Sequence, residues 1–217
     1  MPDCGGTVVV ICTGPSLNKK DLELVKNLNC IVVNDAYLVA PWAKILYAAD
    51  ARWWRWHKEG REKIWPWIKF TAEEQKQALQ NFKGQKFSID HPDVIRDENI
   101  HILGNAGAIG LSEVQGSICT GQNSGYQAID IAVQTKAKKI LLLGMDMKYI
   151  DKKSHAHNGH DVKTSGSELK EFAKNFSTMQ IQLNQRGIEV VNCSPDSALE
   201  MFRFSTVELE SLQLHPA

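Results

Sequence analysis

The sequence predicts an α/β fold with a doubly wound, mainly parallel sheet, and two observations carry that prediction. Short apolar runs recur along the chain, and each is bounded by turn residues. Continuous runs of this kind are typical of strands that are buried on both faces of a sheet. Helix-like segments lie between the runs, and this alternation is typical of parallel β-α-β units. The chain is therefore expected to form a Rossmann-like domain.

Five strong apolar runs and one weaker run are the predicted strands. The first, TVVVICTG, is rich in valine and runs into Gly14-Pro15, which ends a strand. A later run, KKILLLGMD, is equally apolar and ends in a polar residue. The predicted strands cover residues 7–14, 30–37, 43–50, 138–146 and 188–195, with the weaker one at 99–105.

Helical spacing of apolar residues predicts helices over 16–28, 124–135 and 165–187. The first begins at Ser16, a residue type that caps helix N-termini. The third ends at Gly187, and glycine is the usual C-terminal capping residue.

Residues 60–98 interrupt the alternation of strands and helices. The segment is polar and holds one short helical stretch. We therefore expect it to form a small lid or insertion over the sheet of a single domain that spans residues 1–217.

The composition is that of an ordinary globular domain. Of 217 residues, 43% are hydrophobic and 23% are charged, which is close to the average for soluble domains. Lys plus Arg and Asp plus Glu both number 25, so the formal net charge is zero. This balance argues against a general polyanion-binding surface and leaves a local basic patch open.

Cysteine use and hydropathy predict a cytoplasmic protein with no membrane partner. The five cysteines include no CxxC pair, and those in apolar runs are typical of buried thiols in a reducing compartment. The sequence shows neither a signal-like N-terminal segment nor an apolar run of about 18 residues, the length that a membrane span needs.

Polar residues and glycines follow the predicted strands, where open α/β sheets bind their ligands. In chain order they are Thr13, Gly14, Pro15, Ser16, Asn34, Asp35, Asp50, Gly144 and Asp146. The turn at 13–16 either meets phosphate through its backbone amides or is an ordinary tight turn. It matches neither GxGxxG nor the Walker A pattern.

A second glycine-containing turn, TGQNSGYQ, opens the helix predicted over 124–135. Asn123, Ser124 and Gly125 lie at its N-terminus. They form either a helix cap or a second contact for an anion or a sugar.

The segment SHAHNGH, residues 154–160, is named the histidine loop and contains His155, His157 and His160. Histidines at this density indicate a metal site or an acid–base site, unless the segment is a plain surface loop. No thiolate lies nearby in the sequence, so a structural zinc site is disfavoured. A general base, or a transient divalent-metal ligand acting with Asp146, is the preferred interpretation.

Several motifs occur in a recognisable order: VVICTGPSL, VVNDAY, QNSGYQAIDIAVQTKAKKILLLGMDM, SHAHNGH and IEVVNCSPDSAL. Together they resemble the bacterial sialyltransferases of the Campylobacter lipooligosaccharide type. The same elements are similar to the archaeal 6-hydroxymethylpterin pyrophosphokinase-like family. The tryptophan-rich form of the chain looks most like small proteins carried by tailed phages and prophages. The resemblance covers most of the chain except roughly 60–98 and the C-terminal tail.

The sialyltransferase resemblance implies a donor site. Residues 14–16 and Asn34 would hold the nucleotide of a CMP-type donor. Ser124 and Gly125 would contact the donor phosphate or sugar, and Asp146 would lie near the ribose. Thr13, Asp35, Asn123 and Gly144 complete the expected nucleotide-binding set.

The resemblance also implies a base. His155 would deprotonate the acceptor hydroxyl, with His160 as the fallback for that role. The chain departs from the family at Ala48-Ala49-Asp50, where the family has an asparagine. Tryptophan and arginine also replace its tyrosine-rich acceptor wall, which leaves the donor sugar open.

The segment AADARWWRWHKEG, residues 48–60, supplies that replacement wall. In a helix, Trp53 and Trp56 would share one face. The indoles either pack beneath the lid or stack on a sugar, pterin or nucleobase, and Arg52 would suit phosphate. We expect a wall that faces ligand in part, with Asp50, Arg52, Trp53 and Trp56 on the acceptor side.

Three functions remain open at this point. The first is a nucleotide-sugar-dependent glycosyltransferase-like enzyme in the cytoplasm of a bacterial host, whose acceptor is a glycan or modified DNA. The second is a pyrophosphokinase that uses ATP and Mg²⁺, with Asp50, Asp146 and the histidines near the metal. The third is a non-catalytic phage morphogenesis or nucleotide-binding protein. A homo-oligomer is left open, and no cofactor besides Mg²⁺ is implied.

Overall fold

A computed structural model describes residues 1–158 and 164–214, and this part of the chain forms a central sheet of nine strands. Every neighbouring pair in that sheet is parallel, which confirms the predicted fold class. Its strands are β1 (Thr7–Ile11), β2 (Asn29–Val33), β3 (Ile45–Tyr47), β6 (Gln85–Ile89), β7 (Ile100–Asn105), β8 (Ser117–Ile118), β9 (Lys139–Leu143), β10 (Glu189–Asn192) and β11 (Arg203–Phe204). A separate antiparallel hairpin pairs β4 (Lys63–Ile64) with β5 (Lys69–Phe70).

The order of strands places a switch point beside β1. Across the sheet the order is β11-β10-β9-β1-β2-β3-β6-β7-β8. The chain therefore builds outward from β1 through β2 to β8, then returns to the other side of β1 with β9. Thr7 pairs with Lys139 and Ile11 with Leu143, so the loops that leave β1 and β9 begin side by side. The chain then continues to β2 on one side of this pair and to β10 on the other. Such a point is where open α/β sheets form a ligand crevice.

Helices cover both faces of the sheet. They are α1 (Lys19–Leu24), α2 (Ala51–Glu59), α3 (Ala72–Asn81), α4 (Ser124–Gln134), α5 (Gly166–Gln185) and α6 (Val207–Leu214). Within β1, Val8 and Val10 belong to one apolar cluster, while Val9 and Ile11 belong to the other. The continuous apolar run is thus explained by burial on two faces. No helix in the described part of the chain is both long and apolar enough to span a membrane.

The segment expected to form a lid contributes to the central sheet as well. It contains the β4–β5 hairpin and α3, and then β6, which pairs with β3 and β7. The polar start of β6 hides this strand from sequence analysis, because only Phe87, Ser88 and Ile89 of its five residues are buried. A covering role for the hairpin and α3 stays a prediction.

Candidate functional site

A cavity of about 410 Å³ lies at the carboxyl ends of β1, β2, β3 and β9. The structure brings most of the predicted site residues to its wall. These are Thr13, Gly14, Asn34, Asp35, Asp50, Arg52, Trp53, Trp56, Asn123, Ser124, Gly125, Gly144, Asp146 and His155. Pro15 and Ser16 do not line the cavity, and His160 falls outside the described residues.

Two glycines let the loops after β1 and β9 meet at the cavity. The amide of Gly14 donates to the carbonyl of Gly144 at 2.8 Å. A Cβ atom on Gly14 would overlap the Asp146 carboxylate and the Gly144 carbonyl. Gly144 itself has a φ of 61°, in the left-handed region that favours glycine. The crevice therefore depends on glycine at both positions.

Asp146, in the loop after β9, also binds the loop after β1. Its side chain is 2% exposed, and its Oδ2 accepts a hydrogen bond from the amide of Ser16 at 3.1 Å. Burial raises the pKa of Asp146, while its hydrogen bonds with Ser16 oppose that shift. Asp146 thus fixes the start of the turn toward α1, and its contact with a ribose stays a prediction.

Asn123 caps α4, which was one of the two alternatives for this turn. Its Oδ1 accepts hydrogen bonds from the amides of Gly125 at 2.8 Å and Tyr126 at 3.3 Å. Ser124 and Gly125 line the cavity at the N-terminus of this helix. The dipole of α4 therefore points its positive end toward the cavity.

Asp35 is the centre of a buried polar cluster in the cavity wall. Its Oδ1 lies 2.7 Å from His57 Nε2 and accepts a hydrogen bond from Trp53 Nε1 at 2.8 Å. Its Oδ2 lies 2.9 Å from Lys63 Nζ and 3.1 Å from His157 Nε2. Burial alone would raise the pKa of Asp35, but His57, His157 and Lys63 together hold it well below its usual range.

Sequence reasoning named Asp35, Trp53 and His157 separately but did not predict that they meet. Asp35 was expected to contact a nucleotide, yet both of its oxygens are occupied by protein groups. Lys63 carries no distinguishing signal among the 25 lysines and arginines of the chain. For His57 a signal existed, because it lies four residues after Trp53 on the predicted helix face. The two rings are in fact stacked, with centroids 3.9 Å apart.

His155 stands at the cavity wall in a loop that backbone hydrogen bonds hold in place. The amide of Ala156 donates to the carbonyl of Thr13 at 2.7 Å, and the amide of Asn158 donates to the carbonyl of Ile64 at 2.9 Å. The His155 side chain is half-buried, and its Nδ1 lies 3.0 Å from Ser154 Oγ. A role of His155 in proton transfer stays a prediction.

The tryptophan cluster divides between core and cavity. Trp54 is 1% exposed and donates from Nε1 to the carbonyl of Ala48 at 3.0 Å, so it belongs to the core. Trp56 is half-buried and lines the cavity. The Arg61 guanidinium lies 4.3 Å from the centroid of the Trp56 ring, within cation–π range. Trp53 and Trp56 both line the cavity, and Trp56 is the more exposed of the two.

Arg52 lies on the same rim and pairs with Asp50. Asp50 caps α2 by accepting from the Arg52 amide at 2.7 Å. Its other oxygen pairs with the Arg52 guanidinium at 2.7 Å. The Arg52 guanidinium, which was expected to bind phosphate, therefore uses part of its hydrogen-bonding capacity on Asp50.

The carboxylates of the cavity are partly engaged by the protein. Asp35, Asp50 and Asp146 each bind protein groups, while Asp146 Oδ1 is buried without a hydrogen-bond partner among the described residues. Within residues 1–158 and 164–214, no group of three or more His, Cys, Asp or Glu side chains is placed to hold a metal ion. A magnesium site of the kind expected of a pyrophosphokinase stays a prediction.

The comparison with known proteins identifies a shared fold. No family model and no curated protein matches the chain. The structure is similar to the sialyltransferase CstII from Campylobacter jejuni in complex with cytidine-5′-monophosphate, with a TM-score of 0.50, 12% identity, and coverage of 91% of this chain and 84% of that chain. For the CstII complex with CMP-3FNeuAc the TM-score is 0.48 and the identity 12%, and the match covers 91% of this chain and 85% of that chain. A relationship to pyrophosphokinase-like or phage proteins stays a prediction. The similarity to the CstII complex with cytidine-5′-monophosphate shows that this chain has a sialyltransferase-like α/β fold.

Proposed function

We propose that the chain is a glycosyltransferase-like enzyme that transfers a sugar from a nucleotide donor to an acceptor hydroxyl. One observation carries the proposal. A single cavity at the switch point contains the two glycine turns, the N-terminus of α4 and His155. Sites that bind nucleotide phosphates and a base that takes a proton thus face the same space.

The donor would lie over the turns after β1, β2 and β9. Gly14 and Gly144 let these turns pack together at the cavity wall, and the α4 N-terminus favours negative charge. Asn34 has a φ of 50° and lines the cavity between these turns. Left-handed backbone at a residue other than glycine is a feature of functional sites. The exposed Lys148 also lines the cavity and adds positive charge for a phosphate leaving group.

The acceptor would approach past Arg52 and Trp56. The hydroxyl oxygen of the acceptor attacks the anomeric carbon of the donor sugar, and its proton moves to the imidazole of His155. The bond from that carbon to the phosphate oxygen breaks, and the nucleotide leaves with the electron pair. Trp56 provides the flat apolar face on which sugar rings stack, and the arginines beside it suit an anionic acceptor.

Nucleotide binding is the first test. We expect pyrimidine nucleotides such as CMP or UDP to raise the melting temperature by mass action, and we expect Asn34→Ala to lose that shift. His155→Ala should keep the shift and lower sugar transfer by about 100-fold or more, the contribution typical of a positioned base. His91, an exposed histidine outside the cavity, provides the control His91→Ala. A shift with Mg-ATP alone would point to a pyrophosphokinase, and no shift with any nucleotide would favour a non-catalytic protein.

A further inference from the structure

We propose that Asp35 is a positioning residue, which ties the histidine loop to α2 through His157 and thereby holds His155 at the cavity wall. The inference rests on the proposed function, since His155 is the base in that function.

Asp35 gathers three segments that are remote in sequence. Trp53 and His57 belong to α2, Lys63 to β4, and His157 to the histidine loop. All four side chains reach the same carboxylate within 3.1 Å. Because the groups are buried, water does not screen these contacts as it would at a surface. The carboxylate thus acts as a common attachment point for the walls of the cavity.

His57 and His157 each contact further groups besides Asp35. His57 Nδ1 lies 2.9 Å from the Tyr37 hydroxyl and accepts from Gln75 Nε2 at 2.6 Å. Its proton therefore lies on Nε2, toward Asp35, and the ring is neutral. His157 Nδ1 lies 3.0 Å from the Asn158 carbonyl, and its Nε2 lies 3.1 Å from Asp35.

The His157 ring is buried and contacts several members of the cluster. Its Nε2 faces the Asp35 carboxylate, with the ammonium of Lys63 on the same carboxylate oxygen. Its ring centroid lies 4.8 Å from that of Trp65 and 5.8 Å from that of His155. His157 thus connects residues 154–158 of the histidine loop to the rest of the cluster.

The connection is close enough to His155 to set its position. His155 and His157 are separated by Ala156 alone, whose amide is bound to Thr13. That bond fixes the backbone between them, while the Asp35 contact fixes the His157 side chain. Without the side-chain contact, Ala156 and Asn158 still hold the backbone on either side of His157, but the His157 ring loses the contact that sets its orientation beside the His155 ring. A displacement of the base by about 1 Å is sufficient to slow a reaction by about 100-fold.

Substitutions at His157 test the proposal without leaving a buried acid unpaired, because Lys63 remains on Asp35. His157→Gln keeps an N–H donor for Asp35, and His157→Leu removes it. We expect His157→Leu to lower kcat by about tenfold or more while the KM for the donor stays within about twofold. His157→Gln should recover most of that loss, and His91→Leu is the control. A parallel loss of kcat and nucleotide affinity in both variants would show a general structural role and overturn the proposal.

A measurement independent of activity separates this proposal from the proposed function. Imidazole ¹⁵N NMR of the wild-type protein at neutral pH should show His57 protonated on Nε2 alone. The His155 resonances should move in His157→Leu and remain near their wild-type positions in His157→Gln and His91→Leu. Unchanged His155 resonances in His157→Leu would overturn the positioning role. Absence of sugar transfer in a wild-type protein whose His155 resonances do respond to His157→Leu would instead count against the proposed function alone.

Discussion

At the scale of single residues, the pH dependence of stability should report the buried His57. Burial lowers the pKa of His57 in the folded protein, whereas the unfolded value is about 6.5. Between the two values the unfolded chain binds more protons, so stability is complete above about pH 6.5 and falls as the pH drops through that window. Asp35, whose pKa is also lowered, adds its own loss only below its unfolded value of about 3.9.

Urea unfolding at several pH values between 7.5 and 5 checks this expectation. The free energy of unfolding should decrease toward pH 5 in the wild-type protein. His57→Gln keeps a donor for Asp35 and removes the titrating group, so its curve should be flatter over the same range. His91→Gln should follow the wild-type curve. Equal slopes in all three proteins would show that His57 does not titrate with unfolding.

The sequence identifies most cavity residues but not their roles. Residues that follow strands are predictable, because the carboxyl edge of a parallel sheet is a fixed location. Asp35 was found in this way, yet its four partners come from segments whose approach depends on the tertiary fold. Lys63 is the clearest case, since a two-residue strand gives no periodic pattern to recognise.

At the scale of elements, the β1 and β9 turns make a testable pair. In Gly14→Ala the added methyl group would overlap Asp146 and the Gly144 carbonyl. Overpacking of this kind costs about 1–3 kcal/mol, and it forces apart the two loops that line the cavity. We expect a lower free energy of unfolding and a loss of nucleotide binding.

Gly166→Ala provides the matched control for that substitution. A Cβ atom at Gly166 has nothing within 4 Å, and the residue begins α5. Alanine is the better helix former, so the variant should be neutral or slightly more stable. Chemical denaturation and calorimetric titration with CMP measure both effects. Normal nucleotide binding in Gly14→Ala would remove the switch-point turns from the donor site.

Element prediction succeeded where burial is two-sided and weakened where it is not. β1, β2, β9 and β10 are apolar nearly throughout because they lie inside the sheet between helices. β6 begins with Gln85 and Lys86, so its polar start resembles the loop around it. The place of β6 between β3 and β7 depends on pairing between distant segments, which the local pattern does not encode.

At the scale of the whole molecule, the strands around β1 and β9 should respond to ligand, and the edge formed by β7 and β8 should not. The cavity lies where β1 meets β9, whereas β7 and β8 form an edge on the far side of β3 and β6. Ligands that bind only the native state slow the local opening of the segments they contact. We therefore expect CMP to increase hydrogen-exchange protection in residues 12–17, 122–126 and 144–148.

Hydrogen exchange followed by mass spectrometry makes the comparison within one sample. The internal control is the segment from β7 to β8, residues 100–118, which should exchange at the same rate with and without CMP. Protection spread evenly over both segments would indicate a general gain in stability without a localised site. Protection confined to 100–118 would move the nucleotide to the opposite edge of the sheet. Protection at the switch point alone would connect the strand order of the fold to the site where the proposed donor binds.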